Sequence, residues 1–86
     1  MTTDAGAVVW LTGLPASGKT TFATRLRERL AARGTASVVL DSDALRPILA
    51  PELDYRPAGR DEFYRRLGEL AALVARQGGV AVVAAT

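Results

Sequence analysis

Apolar residues fall along this chain in two rhythms. Val8-Val9-Trp10-Leu11 is a short unbroken apolar run ending in Thr12-Gly13, the pattern of a buried strand that feeds a glycine turn. From Lys19 to Arg33 the spacing changes. Phe22, Ala23, Leu26 and Leu30 recur at three and four positions among Arg25, Arg27, Glu28 and Arg29, which predicts a helix closed by Gly34. Val38-Val39-Leu40 predicts a second buried strand, ended by the polar cluster Asp41-Ser42-Asp43. A helical turn through Ala44 to Leu49 is expected next, capped by Ser42 or Asp43, with Pro47 tolerated only in a first turn. Pro51 to Gly59 holds three breakers, Pro51, Pro57 and Gly59, and reads as a loop. Phe63, Leu67, Leu70 and Val74 then carry helical spacing to Arg76, where Gly78-Gly79 ends it, and Val80 to Ala85 is again a continuous apolar run.

Strand, helix, strand, helix, strand is the order that yields right-handed crossovers and a parallel sheet, so the expected class is α/β with helices layered on the sheet. A length of 86 residues leaves room for one domain only, spanning 1–86. The apolar fraction of 49% and charged fraction of 23% suit a folded globular chain with a thin core. Cysteine and histidine are both absent, which excludes disulfides, thiolate or imidazole metal sites and a cysteine nucleophile. The first residues lack the basic start and apolar run of a signal peptide, and no stretch approaches the ~20 apolar residues of a membrane span. A cytoplasmic protein with no membrane partner and no nucleic-acid partner is therefore expected.

The candidate chemistry sits at the first turn. Gly13-Leu14-Pro15-Ala16-Ser17-Gly18-Lys19-Thr20 fits the phosphate-loop pattern G-x-x-x-x-G-K-[ST], placed after a predicted strand and before a predicted helix, as its mechanism requires. Glycines let successive backbone N–H groups curl toward phosphate oxygens, and the helix N-terminus adds partial positive charge. Lys19 is expected to reach the β- and γ-phosphates of ATP and the Thr20 hydroxyl to ligate Mg²⁺. Lys19 is also the single lysine among eleven Lys and Arg residues, which marks a position where a compact ammonium is needed.

Asp41 and Asp43 follow the second strand and so belong to the carboxyl edge of the sheet, where open α/β folds bind ligands. One carboxylate there can hold Mg²⁺ and the other can accept a proton from an attacking hydroxyl; alternation along an extended segment would aim both the same way. The bland alternative is a helix cap at Asp43 and a solvated Asp41. Arg46, Arg60, Arg65 and Arg66 flank the irregular loop and offer donors to a phosphate or sulfate, with a solvated helix face the better reading for at least one of Arg65 and Arg66. Phe63 fits a core position better than a base-stacking platform. Tyr55 and Tyr64 are undecided.

The run from Val8 to Pro15 with Gly18-Lys19-Thr20-Thr21 resembles the opening of adenylylsulfate (APS) kinases. Leu40-Asp41-Ser42-Asp43-Ala44-Leu45-Arg46 is similar to that family's Asp-Gly-Asp-x-x-Arg segment, and Gly59-Arg60-Asp61-Glu62-Phe63-Tyr64-Arg65-Arg66 to its Asp-Arg-x-Glu-Asn-x-Arg-Arg. The resemblance implies a P-loop NTPase-type three-layer fold and transfer of the ATP γ-phosphoryl to the 3′-hydroxyl of adenylylsulfate, in sulfate assimilation. It implies Gly13, Leu14, Pro15, Ala16, Ser17, Gly18, Lys19, Thr20 and Thr21 for ATP, and catalytic roles for Lys19, Asp41 and Asp43. Thr20 and Asp41 would serve Mg²⁺, and Arg46 and Arg60 the substrate. Three positions depart from the family: Ser42 replaces a glycine, Gly59 an aspartate and Phe63 the substrate-binding asparagine. Another alcohol acceptor, such as a sugar, an antibiotic or a polynucleotide end, is one alternative, and a non-catalytic ATP-binding fragment is another. The family's lid, further strands and adenine pocket would lie beyond Thr86, so the chain reads as an N-terminal half with three of the sheet's strands. On that reading Val80 to Ala85 lies at or beside an uncovered part of the sheet, which invites a homodimer or a completing partner chain.

Overall fold

The computed structural model describes residues 6–12 and 16–85. Its elements run β1 (Ala7–Leu11), α1 (Ala16–Ala32), β2 (Ser37–Asp41), α2 (Ser42–Leu49), α3 (Pro57–Arg76) and β3 (Val80–Ala84). All pairings are parallel and the spatial order is β1-β3-β2. The α/β class and the parallel sheet follow the sequence expectation. β3, read as bordering uncovered sheet, is instead the central strand. It hydrogen-bonds on both sides, and Ala81, Val82 and Val83 are fully buried. The open edges belong to β1 and β2. Val8, Trp10 and Val38 on those strands are exposed, which is the cost of a sheet only three strands wide.

α3 supplies most of the core. Gly59, Phe63, Leu67 and Ala71 recur every four residues and are all buried, a single stripe turned inward. That stripe packs with Leu40, Ala50, Ala81, Val83 and Ala85. Alternation along β3 then sends Val82 and Ala84 to the opposite face, the side α1 occupies. α1 buries less: Ala23 is buried, Leu26 and Leu30 are half-buried, and Phe22, expected on the inward face, is 52% exposed.

Three boundaries differ from the sequence expectation, each for a local reason. α1 starts at Ala16, before Lys19, and closes where Gly34 takes a positive φ of 77°. α2 starts at Ser42 directly after β2, and Pro47 is its sixth residue, beyond the first turn. The helix forgoes one N–H bond there and recovers at its end, where Ala50 N–H donates to the Arg46 carbonyl at 2.9 Å. Pro57 and Gly59 belong to α3 rather than to the loop. Proline suits the first helical position because its missing N–H has no partner to lose there. The irregular segment is thus short, residues 50–56.

Candidate active site

Parallel register builds the site. Leu11, Ala84 and Asp41 are aligned across the three strands, so the carboxyl ends of the sheet form one level edge. Above it stands the N-terminal turn of α1, carrying Gly18, Lys19 and Thr21. Gly13, Leu14 and Pro15, and the side chains of Ala16, Ser17 and Thr20, lie outside the described residues.

Lys19 is 4% exposed, unusual for an ammonium. Its Nζ crosses the edge and donates to the Ala85 carbonyl at 3.0 Å, just past the end of β3. Ala85 N–H in turn donates to the Leu11 carbonyl at 3.0 Å, tying β1, β3 and the lysine together. A buried charge requires a partner, and this carbonyl supplies it.

Asp41 and Asp43 are not alternating residues of one extended segment, as the sequence suggested. Asp41 ends β2, and the chain turns into α2 at once, so Asp43 is already helical. Asp41 itself is the N-cap, with φ −85° and ψ 121°, and its Oδ1 accepts the Asp43 N–H at 2.9 Å. Neither Ser42 nor Asp43 fills that role. Ser42 is 2% exposed, a small polar residue turned inward beneath the start of α2.

A cavity of about 330 Å³ opens beside this corner, lined by Ser42, Asp43, Arg46, Tyr55, Arg60, Phe63 and Tyr64. It unites the second half of the predicted site: Asp43 with Arg46 and Arg60. The two arginines lie against aromatic rings. The Arg46 guanidinium is 4.1 Å from the Tyr55 ring centroid and 5.0 Å from that of Phe63, and Arg60 is 5.6 Å from that of Tyr64. Such stacking holds a cation while leaving the guanidinium edge able to meet an anion in its own plane. Arg46 also donates to the Asp54 carbonyl. Phe63 is 3% exposed, so it is a core residue whose ring also forms the cavity floor. The sequence left Tyr55 and Tyr64 undecided and did not single out Asp54; the available signal was the closeness of these residues to Arg46 and Arg60 along the chain.

Arg65 and Arg66 serve a different purpose. Arg65 Nη2 meets Glu62 at 2.7 Å and Arg65 Nη1 meets Glu69 at 2.8 Å. Arg66 joins Glu62 at 3.0 Å, Glu52 at 2.6 Å and the Leu49 carbonyl at 2.8 Å, fastening the end of α2 to α3. Hydrogen bonds from Arg65 and then Arg66 bring the Glu62 carboxyl down to about 2, and the Arg66 bond lowers that of Glu52. These are surface ion pairs that support the geometry of the corner without entering it.

A larger cleft of about 580 Å³ runs between α1 and β2, past Ala23, Arg27, Ser37 and Val39. Asp41 is the only predicted site residue on it. The smaller cavity brings together two cations, a carboxylate and three rings; the cleft carries Arg27, Glu28 and Asp41 among small side chains and has no ring. No described helix is long and apolar enough to cross a membrane.

The known proteins that this chain resembles agree on one family. A family profile described as adenylylsulphate kinase matches residues 5–86. An adenylyl-sulfate kinase of Paraburkholderia xenovorans is 44% identical over 84 residues, covering 98% of this chain and 47% of that protein. One of Deinococcus deserti is 44% identical over 80 residues, covering 93% of this chain and 44% of that protein. Among solved structures, the APS kinase of Mycobacterium tuberculosis in complex with AMPPNP and APS superposes with a TM-score of 0.78 at 37% identity, covering 92% of this chain and 45% of that one. The chain spans about half the length of the curated relatives it matches.

Proposed function

The chain belongs to the adenylylsulphate kinase family, and from that premise we propose that it serves an ATP-dependent kinase that phosphorylates the 3′-hydroxyl of adenylylsulfate. The observation that carries this reading is the cavity of Asp43, Arg46, Arg60 and three aromatic rings, set on the same sheet edge as Lys19. A nucleotide-only protein has no need of a second, cationic chamber there. The solved relative whose complex holds both AMPPNP and APS supports a reading with two ligands.

On this reading the Gly13–Thr21 segment receives the ATP phosphates. The N-terminus of α1 would offer its N–H groups to the anion, and Lys19 would exchange the Ala85 carbonyl for β- and γ-phosphate oxygens. Arg46 and Arg60 hold the sulfate and phosphate of adenylylsulfate, Arg as a planar fork matched to such groups. Asp43 orients the 3′-hydroxyl and takes its proton as the phosphoryl group moves.

Mg²⁺ suits the donors present. The Asp41 Oδ1 is occupied by the Asp43 N–H, which leaves Oδ2 for the metal or its water shell, and Thr20 adds a hydroxyl. No cluster of three or more His, Cys, Asp or Glu exists among the described residues. That fits an ion held chiefly by phosphates and water rather than by a protein cage. Bound there, the metal would neutralise charge that develops between the β- and γ-phosphates.

A coupled assay of ADP release, run with MgATP and adenylylsulfate, tests the proposal. Release that depends on adenylylsulfate and is lost in Asp43→Asn supports it. Release with a sugar or other alcohol but not with adenylylsulfate refutes the acceptor. That second reading is favoured by Phe63 and Ser42, the departures from the family's asparagine and glycine.

A further inference from the structure

The short segment between α2 and α3 leaves no room for a side chain at position 59. A Cβ built on Gly59 would lie 2.5 Å from the Asp54 carbonyl oxygen and 2.8 Å from Asp54 Oδ1. Real Cβ atoms do not come that close to a backbone oxygen, so any other residue would drive the segment off the helix. Glycine is a poor helix former, and Gly59 is the third residue of α3, so its presence asks for a reason. The approach of Asp54 is that reason.

What Asp54 does from this seat bears on the cavity. Its Oδ1 accepts the Arg56 N–H at 3.0 Å, which turns the chain into α3 where Arg56, the N-cap, makes no side-chain capping bond. Its carbonyl accepts from the Arg46 guanidinium. The ring centroid of its neighbour Tyr55 lies 4.1 Å from that guanidinium, and the Phe63 centroid 5.0 Å from it. Arg46 is therefore fixed by a hydrogen bond and a ring that both come from residues 54 and 55. Those residues are where they are because position 59 has no side chain.

We propose that Gly59 and Asp54 are positioning residues for the acceptor: the seat at Gly59 lets Asp54 and Tyr55 hold the Arg46 guanidinium in place before an anionic substrate arrives. Pre-setting the cation lowers the ordering cost of binding. The departure of Gly59 from the family's aspartate thus exchanges a side chain on α3 for a close-packed segment above it. This inference rests on the proposed acceptor cavity, and the experiment separates the two.

Calorimetric titration of the 86-residue chain with MgATP and, separately, with adenylylsulfate in the presence of MgADP compares the parent, Gly59→Ala and Arg60→Ala. Loss of the held Arg46 geometry should raise the adenylylsulfate Kd about tenfold in Gly59→Ala, and leave the MgATP Kd within about twofold. A purely structural role would weaken both ligands together, and that result overturns the inference. So does an unchanged adenylylsulfate Kd in Gly59→Ala when Arg60→Ala has weakened it. If Arg60→Ala has no effect on adenylylsulfate, the cavity reading itself fails. Should Gly59→Ala not fold, Tyr55→Ala decides, because it removes the ring beside the Arg46 guanidinium: an adenylylsulfate Kd raised about threefold or more and restored in Tyr55→Phe, with MgATP unaffected, supports the inference, and an unchanged value overturns it.

Discussion

Leu67→Ala tests the packing that holds the cavity in shape. Leu67 is completely buried at the middle of the α3 stripe, with Phe63 one turn before it and Ala71 one turn after. Its neighbours in the core include Ala71 and Ala81, whose single methyl groups cannot move to fill the space. Leu→Ala at buried sites costs about 2–5 kcal/mol, more where the surroundings cannot collapse, so the upper half of that range, about 3–5 kcal/mol, is expected. A chain of 86 residues has roughly 4–13 kcal/mol in total. The variant should therefore lose a large share of its stability and drop in Tm by roughly 12 °C or more. Urea unfolding followed by circular dichroism and by Trp10 fluorescence measures this. Trp10 is the single tryptophan and lies 6.4 Å from Tyr64, one helical turn before Gly68 on α3. Leu73→Ala, on the same helix but 47% exposed, is the control and should cost less than about 1 kcal/mol. Equal losses in the two variants, or a loss below about 1 kcal/mol in Leu67→Ala, would refute the assignment of this stripe as the core.

The Glu62 carboxyl, about 2 in the folded chain against an ordinary 4.5, stabilises the fold above pH 4.5 and loses that contribution as pH falls toward 2. Tm should fall over this window in the parent and fall less steeply in Glu62→Gln; parallel slopes would show the Arg65 and Arg66 pairs to be idle. Asp41→Ala removes the α2 cap and should cost about 1 kcal/mol in thermal melts, and an unchanged melt would deny the capping role. Lys19→Met should keep the fold, read by circular dichroism, yet lower phosphoryl transfer by about 10²-fold or more, because the charge facing the phosphates is gone. Transfer near the parent rate would remove Lys19 from the mechanism.

Periodicity made the element order legible because each strand holds an unbroken apolar run and each long helix keeps an apolar stripe. It failed where chain chemistry is decided by tertiary contact. Pro57 and Gly59 look like loop residues by composition, yet one suits a helix start and the other fits under Asp54. The capping of α2 by Asp41 was hidden because strand and helix abut with no turn between them, so a residue can end one and cap the other. Asp43, Arg46 and Arg60, named from motif and resemblance, line one cavity, whereas Gly13, Leu14 and Pro15 of the phosphate-loop motif lie outside the described residues. The aromatic rings around the arginines were not legible, since Tyr55 and Phe63 are eight residues apart and meet only through Arg46. The central place of β3 was likewise beyond reach: hydropathy marks a strand as buried but carries no information on which neighbours cover it.

The state of Lys19 explains why this position is lysine in a chain otherwise built with arginine. An ammonium that is 4% exposed needs an acceptor at all times, and without a phosphate the Ala85 carbonyl is that acceptor. A hydrogen bond to a charged group contributes about 1.5–3 kcal/mol, so handing Nζ from carbonyl to phosphate is an exchange of one strong partner for another rather than a search by a loose side chain. A flexible four-carbon stem with three donors can make that exchange by rotating about its own bonds. A planar guanidinium, wider and with fixed donor directions, would have to meet both partners beside Ala85, which is itself buried. Arg46 and Arg60, by contrast, line the open cavity, where on the proposed reading a planar fork can meet two oxygens of a tetrahedral oxyanion. On the proposed reading, the division of labour between Lys19 and the pair Arg46 and Arg60 follows the burial of the first and the open cavity of the others.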